Sequence, residues 1–202
     1  MKEAAIIVAH PDDEIIWCGG LILRNPEWDW TVLSLCRAKD ADRRPKFQAV
    51  CAMLDVVACI SDMDDSNPPK PIDAMHEIGR RVREHLCDMD WDLCLTHGAN
   101  GEYGHPRHKE AHREVLRLAG SGVLRCTELW TFAYQCDVGA ARCRPLPDAD
   151  YLVALTQEQL AEKKRIVHEQ YGYGAGSFEV RACISPEAFH RHPLQLGSGE
   201  GE

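Results

Sequence analysis

Short apolar runs alternate along the chain with longer segments of helical periodicity. The first run, Ala4-Ala5-Ile6-Ile7-Val8-Ala9, is uninterrupted and rich in β-branched residues, the pattern of a strand covered on both faces of a parallel sheet. Similar runs recur at about 30–36, 56–60, 92–96 and 127–133, and the segments 42–54, 72–87 and 108–119 carry apolar residues at helical spacing. This alternation predicts an α/β fold: one open, mostly parallel twisted sheet with helices on both faces, whose ligands bind beyond the C-terminal ends of the strands. Thr156-Gln157-Glu158-Gln159 has the spacing of a capping box and opens a last helix to about 169, followed by Tyr171 to Gly176 as a mobile loop. Ser61 to Pro71 reads as a polar, proline-rich loop, and Arg142 to Asp150 as a connector.

The length, 202 residues, suits a single domain over 1–192, with 193–202 expected to be a disordered tail. No apolar run approaches the roughly 20 residues needed to cross a bilayer, so an integral membrane protein is excluded. The start, Met1-Lys2-Glu3, lacks the features of a signal peptide, which gives a cytoplasmic expectation. A net charge of -9 repels a polyphosphate backbone, so nucleic acid is not expected as a partner. The ten cysteines contain no C-x-x-C pair and most lie within apolar stretches, so they are expected to be reduced core thiols.

Two clusters carry chemistry. His10-Pro11-Asp12-Asp13-Glu14 stands where the first strand gives way to a helix, so that one carboxylate can bind a metal while its neighbour faces a water. The plainer alternative is that these acids cap the helix and complement its dipole. Gly101-Glu102-Tyr103-Gly104-His105-Pro106-Arg107-His108 is the second cluster; Pro106 suits a first helical turn, which places His105 at the helix mouth and His108 one turn inside. His112, followed by Arg113 and Glu114, reads as an incidental solvated residue, and no H-E-x-x-H arrangement is present. Together the clusters supply two histidines and a carboxylate for zinc with a position left for water, the pattern of a catalytic site. The second carboxylate can then act as base, and His105 can serve the oxyanion or the leaving amine.

The His-Pro-Asp-Asp-Glu after the first strand and the Gly-His-Pro-x-His after a later one resemble the GlcNAc-phosphatidylinositol de-N-acetylase (PIG-L, LmbE-like) family, in order and spacing from residue 4 to about 133. The resemblance implies a Rossmann-like fold and one divalent metal, usually Zn2+. It further implies His10, Asp13 and His108 as ligands, Asp12 as general base, and His105 at the oxyanion or leaving amine. The implied activity is removal of an N-acetyl group from a small-molecule amino sugar or its conjugate; a homo-oligomer is compatible with it. Arg43 or Arg44 falls where the family often has a sugar-reaching arginine, and Asp64 of the Asp64-Asp65 loop near another substrate-contacting region. Arg107 stands where many relatives have an Asp that supports the preceding histidine, so another group must orient His105. A non-catalytic metal or sugar-binding module is the competing reading, against which Asp12 speaks, since binding alone needs no second carboxylate.

Overall fold

The computed structural model describes residues 1–66, 73–140 and 142–194. Seven strands form one sheet in the order β3-β2-β1-β4-β5-β9-β8. Its parallel part is built from β1 (Glu3–Val8), β2 (Asp29–Cys36), β3 (Val57–Met63), β4 (Trp91–Thr96) and β5 (Cys126–Phe132), within a residue or a few of the runs read from the sequence. The far edge departs from the expectation of simple alternation. There β9 (Glu187–His192) pairs antiparallel with β5, and β8 (Tyr151–Val153) antiparallel with β9.

The side-chain alternation of β1 explains how both faces are filled. Ala4, Ile6 and Val8 pack with α1 (Asp13–Arg24), α2 (Arg43–Met53) and the C-terminal helical segments, whereas Ala5 and Ile7 pack with α3 (Ala74–Leu86) and α5 (Pro106–Gly120). Between β4 and α5 lies a short irregular turn, α4 (Gly101–Gly104). The predicted capping box at Thr156 is present and opens α6 (Gln157–Arg165), which runs into a π-helical turn, Ile166–Gln170, and then α7 (Phe178–Ala182).

The segment read as a connector is partly a strand: β7 (Arg142–Pro145) pairs antiparallel with β6 (Tyr134–Asp137). Cys136 and Cys143 stand opposite one another in that hairpin and form a disulfide, which corrects the expectation of reduced thiols at these two positions. The other eight cysteines are free, and Cys18, Cys36, Cys51, Cys94 and Cys183 are buried as expected. Residues 67–72 of the proline-rich loop and 195–202 of the expected tail lie outside the described residues. Among the described residues no helix is long and apolar enough to cross a membrane.

Helix α1 is broken at Cys18 (φ -144, ψ 17). The break is filled by Glu187 of β9, whose two oxygens accept the backbone N–H groups of Gly20 (2.7 Å) and Leu21 (2.8 Å) and pair with Lys163 Nζ at 2.6 Å. Both charged residues are fully buried, which is tolerable only because each is paired and hydrogen-bonded. A Cβ at Gly20 would lie 2.3 Å from Leu155 Cδ2 and 2.9 Å from the Glu187 carboxylate, so a larger residue there has to displace both side chains.

Candidate metal centre and active site

The chain runs from β1 outward to β2 and β3, then returns to β4 on the other side of β1, so the strand order reverses between β1 and β4. Crevices at such switch points collect the side chains that follow each strand. Here His10, Asp12 and Asp13 follow β1, Arg37 follows β2, Asp64 and Asp65 follow β3, and His97 follows β4. His105 and His108 enter from the start of α5, where Pro106 takes the first helical position and His105 the N-cap.

His10 Nδ1, Asp13 Oδ2 and His108 Nε2 converge, with separations of 3.3 Å (His10 to Asp13), 3.4 Å (His108 to Asp13) and 3.4 Å (His108 to His10). The edge of a tetrahedron with zinc bonds of 2.0–2.1 Å is about 3.3 Å, so this donor set fits a divalent ion such as zinc. The remaining atoms of these residues are arranged to aim their lone pairs inward. His108 Nδ1 donates to Glu102 Oε2 at 2.5 Å, and His10 Nε2 donates to Asp65 Oδ1 at 3.1 Å. Asp13 Oδ1 accepts from Trp17 Nε1 at 2.8 Å and Oδ2 from the His10 backbone N–H at 2.9 Å. A carboxylate behind each imidazole fixes its tautomer and raises its basicity toward a metal.

His97 stacks on His108 at 3.8 Å and lies 3.5 Å from Asp13, yet its Nε2 accepts the Ala9 backbone N–H (2.9 Å) and its Nδ1 donates to Glu102 (3.0 Å). With its lone pair engaged, His97 serves as a wall that orients Glu102 rather than as a ligand. Gly98 closes the arrangement by donating its N–H to Glu102 Oε1 at 2.7 Å. His112, read as solvated, is partly buried and donates from Nδ1 to the His97 carbonyl at 2.9 Å, bracing the same wall.

The electrostatics are those of a cation site. Burial disfavours a charged His10, but its hydrogen bonds to Asp13 and Asp65 and their charges prevail and raise its pKa to about 10. Burial also opposes ionisation of Asp13 and Glu102, and the surrounding histidines overcome it, holding Asp13 well below the usual carboxylate range and Glu102 at about 2. Asp12 is pushed up to about 7 by burial and the adjacent Asp13 charge, near the value at which a carboxylate works as a base at neutral pH. His105 is lowered to about 4 by burial and by His108 and His10, so it stands neutral.

The cleft over these residues has a volume of about 260 Å³, and Asp12, Arg43, Asp65 and His105 line it together with the aromatic rings of Trp17, Tyr103, Tyr173 and Phe178. Asp12 occupies the N-cap position of α1 but makes no capping hydrogen bond; its Oδ2 instead accepts from Tyr173 OH and from Arg43 Nη1 at 3.3 Å. Of the two arginines read as substrate candidates, Arg43 lines the cleft, whereas Arg44 is exposed and does not. Asp64 is likewise not among the lining residues, and its neighbour Asp65 is. Arg107 does not orient His105: it donates from Nε to the Asp64 carbonyl (2.9 Å) and from Nη1 to Glu110 (2.6 Å), docking the loop that carries Asp65 onto α5. His105 Nδ1 is buried and has no hydrogen-bond partner among the described residues.

Sequence reasoning missed Asp65 as partner of His10, Glu102 and His97 behind His108, and the tyrosines. His97 had a readable signal, since it follows the apolar run of β4 as His10 follows that of β1. Glu102 lay inside the quoted cluster, six residues before His108. Nothing local marked Tyr173.

An open α/β sheet with a His, Asp, His cluster at its switch point defines a Rossmann-like protein with a candidate metal centre. The chain belongs to the GlcNAc-PI de-N-acetylase (PIG-L) family, whose model matches residues 5–119. An uncharacterized protein of Acanthamoeba polyphaga mimivirus is 26% identical over 121 residues, covering 53% of this chain and 53% of its own length; the chain thus spans about half the length of the curated relative. Among solved structures, N,N'-diacetylchitobiose deacetylase from Pyrococcus horikoshii superposes with a TM-score of 0.69 at 13% identity, over 95% of this chain and 84% of that one. GalB, the 4-carboxy-2-hydroxymuconate hydratase from Pseudomonas putida, gives 0.63 at 14% identity over 95% of each chain. At such identities these likenesses show the fold.

Proposed function

We propose that this protein is a zinc-dependent hydrolase that removes an N-acetyl group from a small-molecule amino sugar or amino-sugar conjugate. The observation that carries the reading is the convergence of His10 Nδ1, Asp13 Oδ2 and His108 Nε2 within 3.4 Å of one another beside a buried second carboxylate, Asp12. These three residues would hold the ion, which supplies Lewis acidity that makes water a nucleophile near neutral pH and polarises the amide carbonyl.

The protein's own groups do the rest. The aromatic wall of Trp17, Tyr103 and Phe178 packs against the apolar face of the substrate and sheds water from the amide. Asp12 removes a proton from the attacking water through its carboxylate and returns it to the departing nitrogen, so that amide and water become acetic acid and amine, which end as acetate and an ammonium group at neutral pH. His105, neutral at the cleft wall, offers an N–H to the oxygen on which charge develops.

The decisive experiment measures acetate release from a panel of N-acetylated sugars by wild type and Asp12→Ala, with zinc content determined in both. Wild type should release acetate, and Asp12→Ala should keep its zinc and lose about 10²–10⁴-fold in turnover. Full activity of Asp12→Ala, or no acetate from any substrate, would overturn the reading.

A further inference from the structure

The segment Tyr171-Gly172-Tyr173 lies beyond the family match at residues 5–119, in the stretch expected as a mobile loop. Its backbone is tied to the π-helical turn by Tyr171 N–H to Ile166 O (3.2 Å) and Tyr173 N–H to Val167 O (3.3 Å), and His168 Nδ1 donates to Tyr173 O at 2.5 Å. Gly172, at φ 82, makes the bend that returns both tyrosines to the site.

Both hydroxyls act on Asp12, at opposite ends of the residue. Asp12 adopts φ 115 and ψ -30, a conformation that a non-glycine residue keeps only where its surroundings impose it. Its backbone N–H donates to Glu14 Oε2 at 2.9 Å, and Tyr171 OH donates to the other oxygen of Glu14. Its side-chain Oδ2 accepts from Tyr173 OH and from Arg43, whose guanidinium lies 4.5 Å from the centre of the Tyr173 ring. With Oδ2 engaged twice, Oδ1 is the oxygen left to exchange a proton with a reactant.

Building on the proposed hydrolysis, we infer that Tyr173 is a positioning residue that fixes the carboxylate of Asp12, with Tyr171 fixing its backbone through Glu14. The part of the chain outside the family match thereby sets the aim of the base. Tyr171 is fully buried and serves the core as well, so Tyr173→Phe, which keeps the ring under Arg43 and removes only the hydroxyl, is the informative change.

The test combines kinetics with crystal structures of zinc-loaded wild type and Tyr173→Phe. The variant should lose about tenfold to a hundredfold in kcat, as expected for misdirection of a reacting group, with KM and zinc content unchanged and the Asp12 carboxylate rotated in its crystal structure. An unchanged kcat, or an Asp12 side chain in the same orientation in both structures, would overturn the inference. Should wild type release no acetate from any N-acetylated sugar, the functional reading fails, while the crystallographic comparison still decides whether Tyr173 fixes Asp12.

Discussion

The first 120 residues and the remaining 82 contribute to the site in different ways. In the first part His10, Asp12, Asp13, Asp65, His97, His105 and His108 stand just beyond a strand end or on the opening turn of α5, where the alternation of strand and helix puts them, while Arg43 opens α2 and Glu102 sits in α4. The later part approaches from far along the chain: Tyr173 meets Asp12 across 161 positions, Tyr171 meets Glu14 across 157, and Glu187 meets Gly20 across 167. The family-matched region carries the candidate ligands together with Asp65, His97 and Glu102 that orient them, and the later region adds contacts that brace Asp12 and α1.

This division can be broken most severely at the ligands. His10→Ala/His108→Ala should bind no zinc by elemental analysis and show no acetate release; a full zinc complement in that variant would end the assignment. In the later region, Glu187→Ala leaves Lys163 buried without its partner, which should cost about 3–5 kcal/mol in urea denaturation while each folded chain still carries zinc. Loss of zinc without loss of stability would show that the later region does more than brace. A smaller effect is expected for Glu102→Gln, which removes the charge behind His108: zinc affinity, read by chelator competition, should weaken about 10–100-fold. The smallest sharpens the contrast between neighbours on α2. Arg44→Ala should stay within about 0.5 kcal/mol in stability and about twofold in turnover, whereas Arg43→Ala, which removes a contact to Asp12, should lower turnover more. Equal losses would mean that α2 presents a different face to the cleft.

The parallel half of the fold was legible because buried parallel strands are uniformly apolar and end abruptly at chemistry-bearing residues, as Val8-Ala9-His10 does. The antiparallel edge and the separate β6-β7 hairpin were not. Strands β8 and β7 are three and four residues long, too short for a period of two to stand out, and Cys136 with Cys143 looked unrelated until their pairing across the hairpin was known. The ligand types could be read from two local clusters. The groups that orient them could not, since Asp65 reaches His10 from another strand and Tyr173 reaches Asp12 from another region altogether. The offset between Asp64 and Asp65 shows the same limit at one-residue scale: the loop was locatable, its facing side chain was not.

The break in α1 has a consequence for the order in which the molecule can be made. Synthesis delivers the first helix early, but the acceptors for the Gly20 and Leu21 amides belong to Glu187 and arrive only with the last strand. Until residue 187 has emerged and docked, those two amides lack the carboxylate acceptors they have in the folded chain. The first helix to be synthesised is therefore among the last to be completed, and slow hydrogen exchange at Gly20 and Leu21 would be a clock that starts only when the whole sheet has closed.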